Sequence, residues 1–325
     1  MCRYAVLAIA ALTIVLGCQS AKDKFPAETR TVFGVPVTVT FFIADAKPEE
    51  VKAGFDAAFK TLETYERNVA TPGATNQLEK IAAGAGRESV PVDTTVYALI
   101  MRGLQLNELT GQAFDLRYGP LLDAWTKAGN GTPPQADVDS ALALIKTGGM
   151  FVAGKSILLS KPNMRFDARG FVDAWAIDRA AEVLNAKGFA AFEIRTPYAV
   201  RIVGMPVNQQ SREIKLGNPQ TADSSWAKLD MAQGGMAYVP ARGGSGRLVL
   251  DPRTGQMASG AAIAMAKDCA TAFGLAYAIA VDGDAAKLTD KGRAELLGHI
   301  RISGSGPTYQ VAADGGLKDR FKTLN

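Results

Sequence analysis

The sequence predicts an α+β fold in which an antiparallel or mixed sheet packs against helices on one side. Apolar residues recur at helical spacing in several stretches, and short runs rich in β-branched residues lie between turns that contain glycine or proline. The chain has 325 residues; 47% of them are hydrophobic and 33 are glycines. This composition is typical of a globular protein, and the length allows one large domain or two closely packed ones.

The individual elements follow from these patterns in chain order. Proline suits the first turn of a helix, and Asp or Thr suits the position just before one. The predicted elements are one or two strands in Val32–Ile43, a helix from Pro48, a loop over Asn68–Gly86, helices over Asp93–Thr110 and Asp137–Lys146, a hairpin over Phe151–Leu159, a helix ending at Gly188, strands over Phe189–Arg195 and Ala199–Gly204, short strands within Ile214–Val249, and a buried helix within Ala262–Val281.

Residues 1–17 predict a lipoprotein signal peptide. Arg3 gives a positive start, and the apolar run Ala5–Leu16 is short for a membrane span. Gly17 directly precedes Cys18, a pattern that resembles a bacterial lipobox and predicts a lipid on Cys18. A plain secretory signal and an uncleaved anchor are the alternatives. Residues 18–31 are polar and charged and predict a tether, so we expect a protein anchored in the bacterial cell envelope that faces the periplasm or the exterior.

Charge and residue content exclude several functional classes. The net charge of +4 comes without a basic run, so we expect no nucleic-acid partner. His299 is the single histidine, which excludes a multi-histidine zinc site, and no P-loop or dinucleotide fingerprint occurs. If Cys2 leaves with the signal and Cys18 carries lipid, Cys269 is the one remaining thiol. It then cannot form an intramolecular disulfide and should pack as a small apolar residue.

The stretch Phe166–Gly188 carries the clearest structural pattern. From Val172 to Leu184 apolar residues recur on one helical face, and Lys187-Gly188 is typical of a helix end. Asp167 therefore lies next to a helix N-terminus, where backbone N–H groups and the helix dipole favour phosphate. The alternative is that Asp167 merely caps its own helix.

Three stretches, in the same order, resemble the ApbE family of FAD:protein FMN transferases. Thr110–Trp125 is similar to the family's Thr-Gly-Gly-Ala-Phe-Asp-Pro-Thr-Val-Gly-Pro-Leu-Val-Asn-Leu-Trp without a gap. The helix that follows Asp167 is similar to the family's Asp-Leu-Gly-Gly-Ile-Ala-Lys-Gly-Tyr-Ala-Val-Asp, and Asp251–Gly255 reads Asp-Pro-Arg-Thr-Gly as in relatives. The resemblance spans roughly residues 32–283, and we assign residues 32–325 to one ApbE-like domain.

This resemblance implies an activity, a cofactor and a partner. Family members transfer FMN from FAD to a threonine hydroxyl of an acceptor flavoprotein, release AMP and use Mg²⁺. Their α+β architecture agrees with the fold predicted from the patterns. Carried over by position, the FAD contacts are Phe33, Ala113, Phe114, Asp115, Asp167 and Asp173, and the Mg²⁺ site is framed by Gly170, Asp268 and Thr271. The resemblance assigns no catalytic residue.

The sequence departs from the family pattern at nucleotide and metal positions. Lys267 stands where relatives carry the metal-binding Asp, four residues before Thr271. Asp268 is displaced by one residue, which on a helix rotates a side chain by about 100°. A lysine could itself neutralise a pyrophosphate as a point charge. The turn Arg195–Tyr198 lacks the family's glycine pair, no tyrosine matches its flavin contact near Val69–Thr71, and the histidines before Asp251 are absent.

Two functional hypotheses therefore stay open. The first is an exported FAD:protein FMN transferase that modifies acceptor flavoproteins. The second is a catalytically degenerate envelope lipoprotein of the same fold that binds a flavin or a partner protein. Metal-dependent FAD binding with release of AMP would distinguish the first from the second.

Overall fold

The computed structural model describes residues 25–43, 47–129, 131–217, 225–240, 248–304 and 310–324. The predicted signal peptide, Cys18 and the first part of the predicted tether lie outside these residues. None of the helices in the described ranges combines the length and the apolar character needed to cross a membrane.

An eight-stranded antiparallel sheet forms the centre of the fold. Its strands, in spatial order, are β1 (Ala27–Val32), β2 (Val35–Phe41), β6 (Phe192–Arg195), β7 (Ala199–Val203), β10 (Gly234–Val239), β11 (Gly260–Ala266), β12 (Gly298–Ser303) and β13 (Gln310–Gly315). Two smaller antiparallel sheets contain β3 (Val90–Pro91), β5 (Ser156–Leu159) and β4 (Met150–Ala153), and β14 (Phe321–Thr323), β9 (Ser225–Met231) and β8 (Arg212–Gly217).

Eight α-helices occur in the described part of the chain. They are α1 (Pro48–Tyr65), α2 (Gln77–Gly84), α3 (Thr94–Leu109), α4 (Gly119–Ala128), α5 (Gln135–Thr147), α6 (Phe171–Ala186), α7 (Cys269–Asp282) and α8 (Asp290–Glu295). Side chains cap several of them as the residue types predict: Asn76 accepts hydrogen bonds from the first turn of α2, Asp93 from α3 and Asp268 from α7. A π-helical turn, Glu66–Ala70, continues α1.

The two faces of the central sheet are buried by different layers. Ala237 and Val239 of β10 pack with the helices, whereas Met236 and Tyr238 of the same strand pack with residues of β8 and β9. Because successive side chains of a strand point to opposite faces, this division places helices on one face and the small β8–β9–β14 sheet on the other. The predicted α+β class with helices on one side is confirmed, and the sheet that covers the second face was not predicted.

Helices α6 and α7 lie in the centre of the helical layer. Eleven of the 16 residues of α6 are buried, including Asp173 and Asp178, so the helix has no wide solvent-exposed face. The Asp178 carboxylate accepts hydrogen bonds from the backbone N–H groups of Cys269 and Ala270, at 3.0 and 2.8 Å. A β-carbon on Gly235 would lie 2.1 Å from the carbonyl carbon of Asp268, so β10 requires glycine where α7 begins.

Three of the sequence-based element boundaries need correction. Residues 27–31 of the predicted tether form most of β1 and pair with β2. The predicted loop over Asn68–Gly86 contains the capped helix α2. The apolar segment Ala262–Val281 is a strand followed by a helix, because Asp268 accepts the Thr271 N–H and starts a new element there. A run of small apolar residues fits either element when it is buried on both sides.

Candidate functional site

The turn before α6 is built around the Asp167 carboxylate. The Asp167 backbone N–H donates to the Leu116 carbonyl at 2.8 Å. Its carboxylate accepts the Arg169 N–H at 3.0 Å and lies 2.6 Å from Nη2 of the same residue, and this hydrogen bond raises the pKa of Arg169. Gly170, with φ of +81°, precedes α6, and no side chain caps the helix. Asp167 therefore fixes the approach to the helix and is not its cap.

A cavity with aromatic walls, the aromatic cavity, lies on one side of this turn. Gly170 and Asp173, at the start of α6, line this cavity, and Asp173 is only 2% exposed. Its aromatic lining residues are Tyr118, Tyr198, Tyr238, Phe273 and Tyr277. A cavity of this kind accommodates a flat ring system, and a buried carboxylate in its wall can accept hydrogen bonds from ring N–H groups.

A second cavity, the loop cavity, lies on the other side of the turn. The segment before and within α2 contributes Pro72, Asn76 and Glu79, and the motif stretches contribute Asp123, Arg165 and Asp167. Thr126 and Arg169 line both cavities. The two cavities therefore meet at the N-terminus of α6, with the Arg169 side chain at their boundary.

Specific hydrogen bonds join the three motif stretches around the aromatic cavity, and the one from the Asp167 N–H to the Leu116 carbonyl links the first two. The Trp125 indole N–H donates to the Gly255 carbonyl at 2.9 Å. The Tyr277 hydroxyl donates to the Leu250 carbonyl at 2.7 Å, next to the Asp251–Gly255 turn. Burial raises the pKa of Tyr118 and of Tyr277, so both phenols stay protonated at neutral pH. Motifs that are far apart in sequence thus form one structural unit.

Five of the six predicted FAD contacts fall into two groups in the structure. Asp167 lines the loop cavity and Asp173 lines the aromatic cavity. Ala113, Phe114 and Asp115 instead lie behind the aromatic cavity, where the Phe114 ring centroid is 5.4 Å from that of Tyr277. Asp115 accepts the Arg117 N–H and forms an ion pair with its guanidinium at 2.6 Å. Ala113, Phe114 and Asp115 therefore support the wall of the aromatic cavity.

Phe33 lines neither cavity. It occupies the β1–β2 turn with φ of +56°, and its N–H donates to the Glu66 carboxylate at 2.6 Å. Its side chain packs against the helical core. The structure therefore does not bring Phe33 together with Asp167 and Asp173.

Sequence reasoning missed several residues that form the cavities. Tyr198 is the last residue of the turn that lacks the family's glycines, and its ring stacks on that of Tyr238 with the ring centroids 6.4 Å apart. Arg169 stands where the family motif has glycine and borders both cavities. Arg169 replaces a glycine of the motif with a large side chain, and that size change is the signal that marks it as a cavity residue.

The predicted metal residues do not lie together. Gly170 lies directly before α6. Asp178 is eight residues further along the chain, about 12 Å along the axis of α6. It is Asp178 that contacts the start of α7. Asp268 and Thr271 therefore lie near Asp178 and away from the N-terminus of α6, and they line neither cavity. Lys267, considered as a substitute cation, is 64% exposed and pairs with Glu295 at 3.3 Å.

The oxygen atoms at the start of α7 also do not fit a Mg²⁺ ion. Asp268 Oδ1 accepts hydrogen bonds from the Thr271 N–H and hydroxyl, at 2.7 and 2.6 Å. The Arg102 guanidinium donates to the Thr271 hydroxyl and lies 3.5 Å from Asp268 Oδ1. Among the described residues, no group of three or more His, Cys, Asp or Glu side chains could hold a metal ion. We therefore assign no step to a metal at Asp268 and Thr271.

Comparisons with known proteins identify similar sequences. The model of the ApbE family matches residues 33–296. A FAD:protein FMN transferase of Vibrio cholerae is 23% identical over 87% of this chain and 88% of its own length, and one from Klebsiella pneumoniae is 28% identical over 39% of this chain and 42% of its own.

Solved structures of ApbE proteins have the same fold. The protein from Thermotoga maritima superposes with a TM-score of 0.75 at 20% identity, covering 90% of this chain and 97% of the other. The apo flavinyl transferase ApbE of Pseudomonas stutzeri gives 0.71 at 20% identity, covering 90% and 94%. The described fold, the joined motif stretches and the family match over residues 33–296 lead to one conclusion: this chain belongs to the ApbE family.

Proposed function

We propose that this chain is a FAD:protein FMN transferase that moves FMN from FAD to a threonine hydroxyl of an acceptor flavoprotein. The observation that carries the proposal is the meeting of two cavities at the uncapped N-terminus of α6. FAD has two ring systems joined by a pyrophosphate. A ring system in each cavity would bring the pyrophosphate to the first turn of α6, where the helix dipole favours negative charge.

The residues around this junction have separate roles in the proposal. The aromatic cavity holds the flavin ring and Asp173 accepts a hydrogen bond from it. Asp167 fixes the turn, and Arg169, at the boundary of the cavities, contacts phosphate oxygens. The acceptor Oγ forms a bond to the FMN phosphorus, the bond to the AMP phosphate breaks, and AMP leaves with the electron pair while the hydroxyl proton is released.

Mg²⁺ is the cofactor that the family resemblance implies. The Asp268–Thr271 pair does not supply a free oxygen site for it, so the proposal routes no step through the ion. The curated relatives from Vibrio cholerae and Klebsiella pneumoniae are named for the same transfer, which supports the reaction class at 23% and 28% identity.

The reaction is tested with FAD and an acceptor flavoprotein whose target threonine is either intact or replaced by alanine. We expect AMP to appear by chromatography, and covalent flavin fluorescence to appear on the intact acceptor after denaturing electrophoresis. Tight FAD binding without AMP release would instead favour the second hypothesis, a catalytically degenerate flavin-binding lipoprotein. The contact of the Arg102 guanidinium with Asp268 and Thr271 is the observation that keeps this alternative open.

We also propose that Cys18 carries a lipid that holds the protein in the bacterial cell envelope, facing the periplasm or the exterior. The basis is the sequence pattern that ends at Gly17-Cys18. Membrane fractionation of the full chain and of Cys18→Ala tests this. The wild type should sediment with membranes and the variant should not; equal distribution of both would contradict the proposal.

A further inference from the structure

A guanidinium contacts both Asp268 and Thr271 at the start of α7. Arg102 comes from α3, and its side chain is 17% exposed. One of its terminal nitrogens, Nη2, donates to the Thr271 hydroxyl and lies 3.5 Å from Asp268 Oδ1. Nη1 donates to the Gln105 side chain at 3.0 Å, so the guanidinium is held from both sides.

Four side-chain oxygens at the start of α7 already have hydrogen-bond partners. Asp268 Oδ1 accepts two hydrogen bonds from Thr271, whose side chain is fully buried. The other nearby carboxylate, Asp178, accepts backbone N–H groups with both of its oxygens. Mg²⁺ needs near-octahedral oxygen ligands at about 2.0–2.1 Å. It could bind here only if the guanidinium moved away, since two cations at such short distance repel each other.

We propose that Arg102 is a built-in cation that takes the place of a divalent ion at the start of α7. The guanidinium neutralises Asp268, orients the Thr271 hydroxyl and keeps divalent cations out. It carries a fixed charge because arginine does not lose its proton in proteins. This inference rests on the proposed function only for the choice of FAD as a ligand in the second experiment below.

The direct test is binding of Mn²⁺, which is paramagnetic and replaces Mg²⁺ at oxygen sites. The wild type, Arg102→Gln and Arg102→Lys are titrated, and free Mn²⁺ is followed by electron paramagnetic resonance. We expect no Mn²⁺ site in the wild type or in Arg102→Lys, and one new site in Arg102→Gln that the additional change Asp268→Asn removes. Circular dichroism establishes that each variant is folded.

Two results would overturn the proposal. One is a Mn²⁺ site in the wild type that Asp268→Asn abolishes. The other is a folded Arg102→Gln protein that gains no site, because Arg102 would then not be what excludes the ion. If Arg102→Gln does not fold, Asp268→Asn in the wild-type background still distinguishes the first result.

A second experiment separates this inference from the proposed function. FAD affinity is measured by quenching of flavin fluorescence in Mg²⁺ and in EDTA. We expect a similar dissociation constant in both. Tightening by about tenfold in Mg²⁺, equivalent to about 1.4 kcal/mol, that disappears in Asp268→Asn would contradict the role of Arg102. Absence of FAD binding in both buffers would contradict the proposed function, and the Mn²⁺ titration would still decide the role of Arg102.

Discussion

The N-termini of α6 and α7 lie in the same helical layer and differ in what surrounds them. The first turn of α6 follows Gly170 without a side-chain cap and opens onto two cavities. The first turn of α7 is capped by Asp268, bound by the Asp178 carboxylate and covered by Arg102. A helix N-terminus can bind a ligand only while its donors are not used by the protein itself.

This difference assigns separate roles to carboxylates that look alike in sequence. Asp167 lies shortly before α6, and Asp268 directly precedes α7. The family resemblance implies ligand contacts for both. In the structure Asp167 shapes the turn between the cavities, whereas Asp268 completes a closed cap. Changes near α6 should therefore affect ligand binding, and changes near α7 should affect stability.

The largest effect on stability is expected from Asp178→Ala. The change leaves the Cys269 and Ala270 N–H groups buried without an acceptor. Each such group costs about 1–3 kcal/mol, so the free energy of unfolding should fall by about 3 kcal/mol. Urea denaturation followed by circular dichroism measures it. Asp178→Asn retains one acceptor oxygen and serves as the matched control; an equal loss in both variants would show that the two hydrogen bonds are not the cause.

Tyr198→Ala should reduce FAD affinity with little change in stability. The Tyr198 ring lines the aromatic cavity and stacks against Tyr238. Loss of a stacked ring contact is worth about 0.5–1.5 kcal/mol, up to about tenfold in the dissociation constant. Tyr198→Phe keeps the ring and should bind FAD as the wild type does. Unchanged affinity in Tyr198→Ala would place the flavin ring elsewhere.

Asp268→Ala should lower stability by about 1 kcal/mol, the usual cost of losing an N-cap. The effect should be smaller than for Asp178→Ala, because Asp268 is partly exposed and water can replace it. Thermal denaturation of the two variants side by side gives the comparison. A larger loss in Asp268→Ala would mean that Arg102, left without its carboxylate, contributes a further cost.

A further prediction concerns the dependence of stability on pH. Burial and the neighbouring Asp268 charge raise the pKa of Asp178 from 3.8 to about 7. Because the folded state holds this proton more tightly than the unfolded state, the stabilisation is fully present below pH 3.8 and is lost as the pH rises through about 7. The free energy of unfolding should therefore decrease between pH 5 and 8 relative to Asp178→Asn. Parallel pH profiles of the two proteins would contradict this.

Much of the fold could be predicted because its patterns are local. Each of these patterns lies within, or a few residues from, the element that it defines. Examples are the cap of α3 at Asp93, the hairpin turn at Gly154 and the stripe of buried apolar residues on α1. The β11–α7 boundary could not be predicted from the apolar run, since strand and helix are equally apolar when both faces are buried. The capping preference of Asp268 was the available signal.

The site was predictable in part for the same reason. Asp167, Asp173 and Gly170 follow one another along a continuous motif, so one match located all three at the cavities. Arg102 could not be found this way, because it meets Thr271 across 169 residues and lies in no motif. Side chains that fill a site from a distant helix become visible only in three dimensions.

The central claim, that FAD binds at the start of α6 and not at the start of α7, is tested most directly by titrating FAD with three proteins. These are the wild type, Asp167→Asn and Asp268→Asn, followed by flavin fluorescence. We expect wild-type binding, a loss of about tenfold or more in Asp167→Asn, and a dissociation constant within about twofold of the wild type in Asp268→Asn. Equal weakening in the two variants, or no binding by the wild type, would contradict the account.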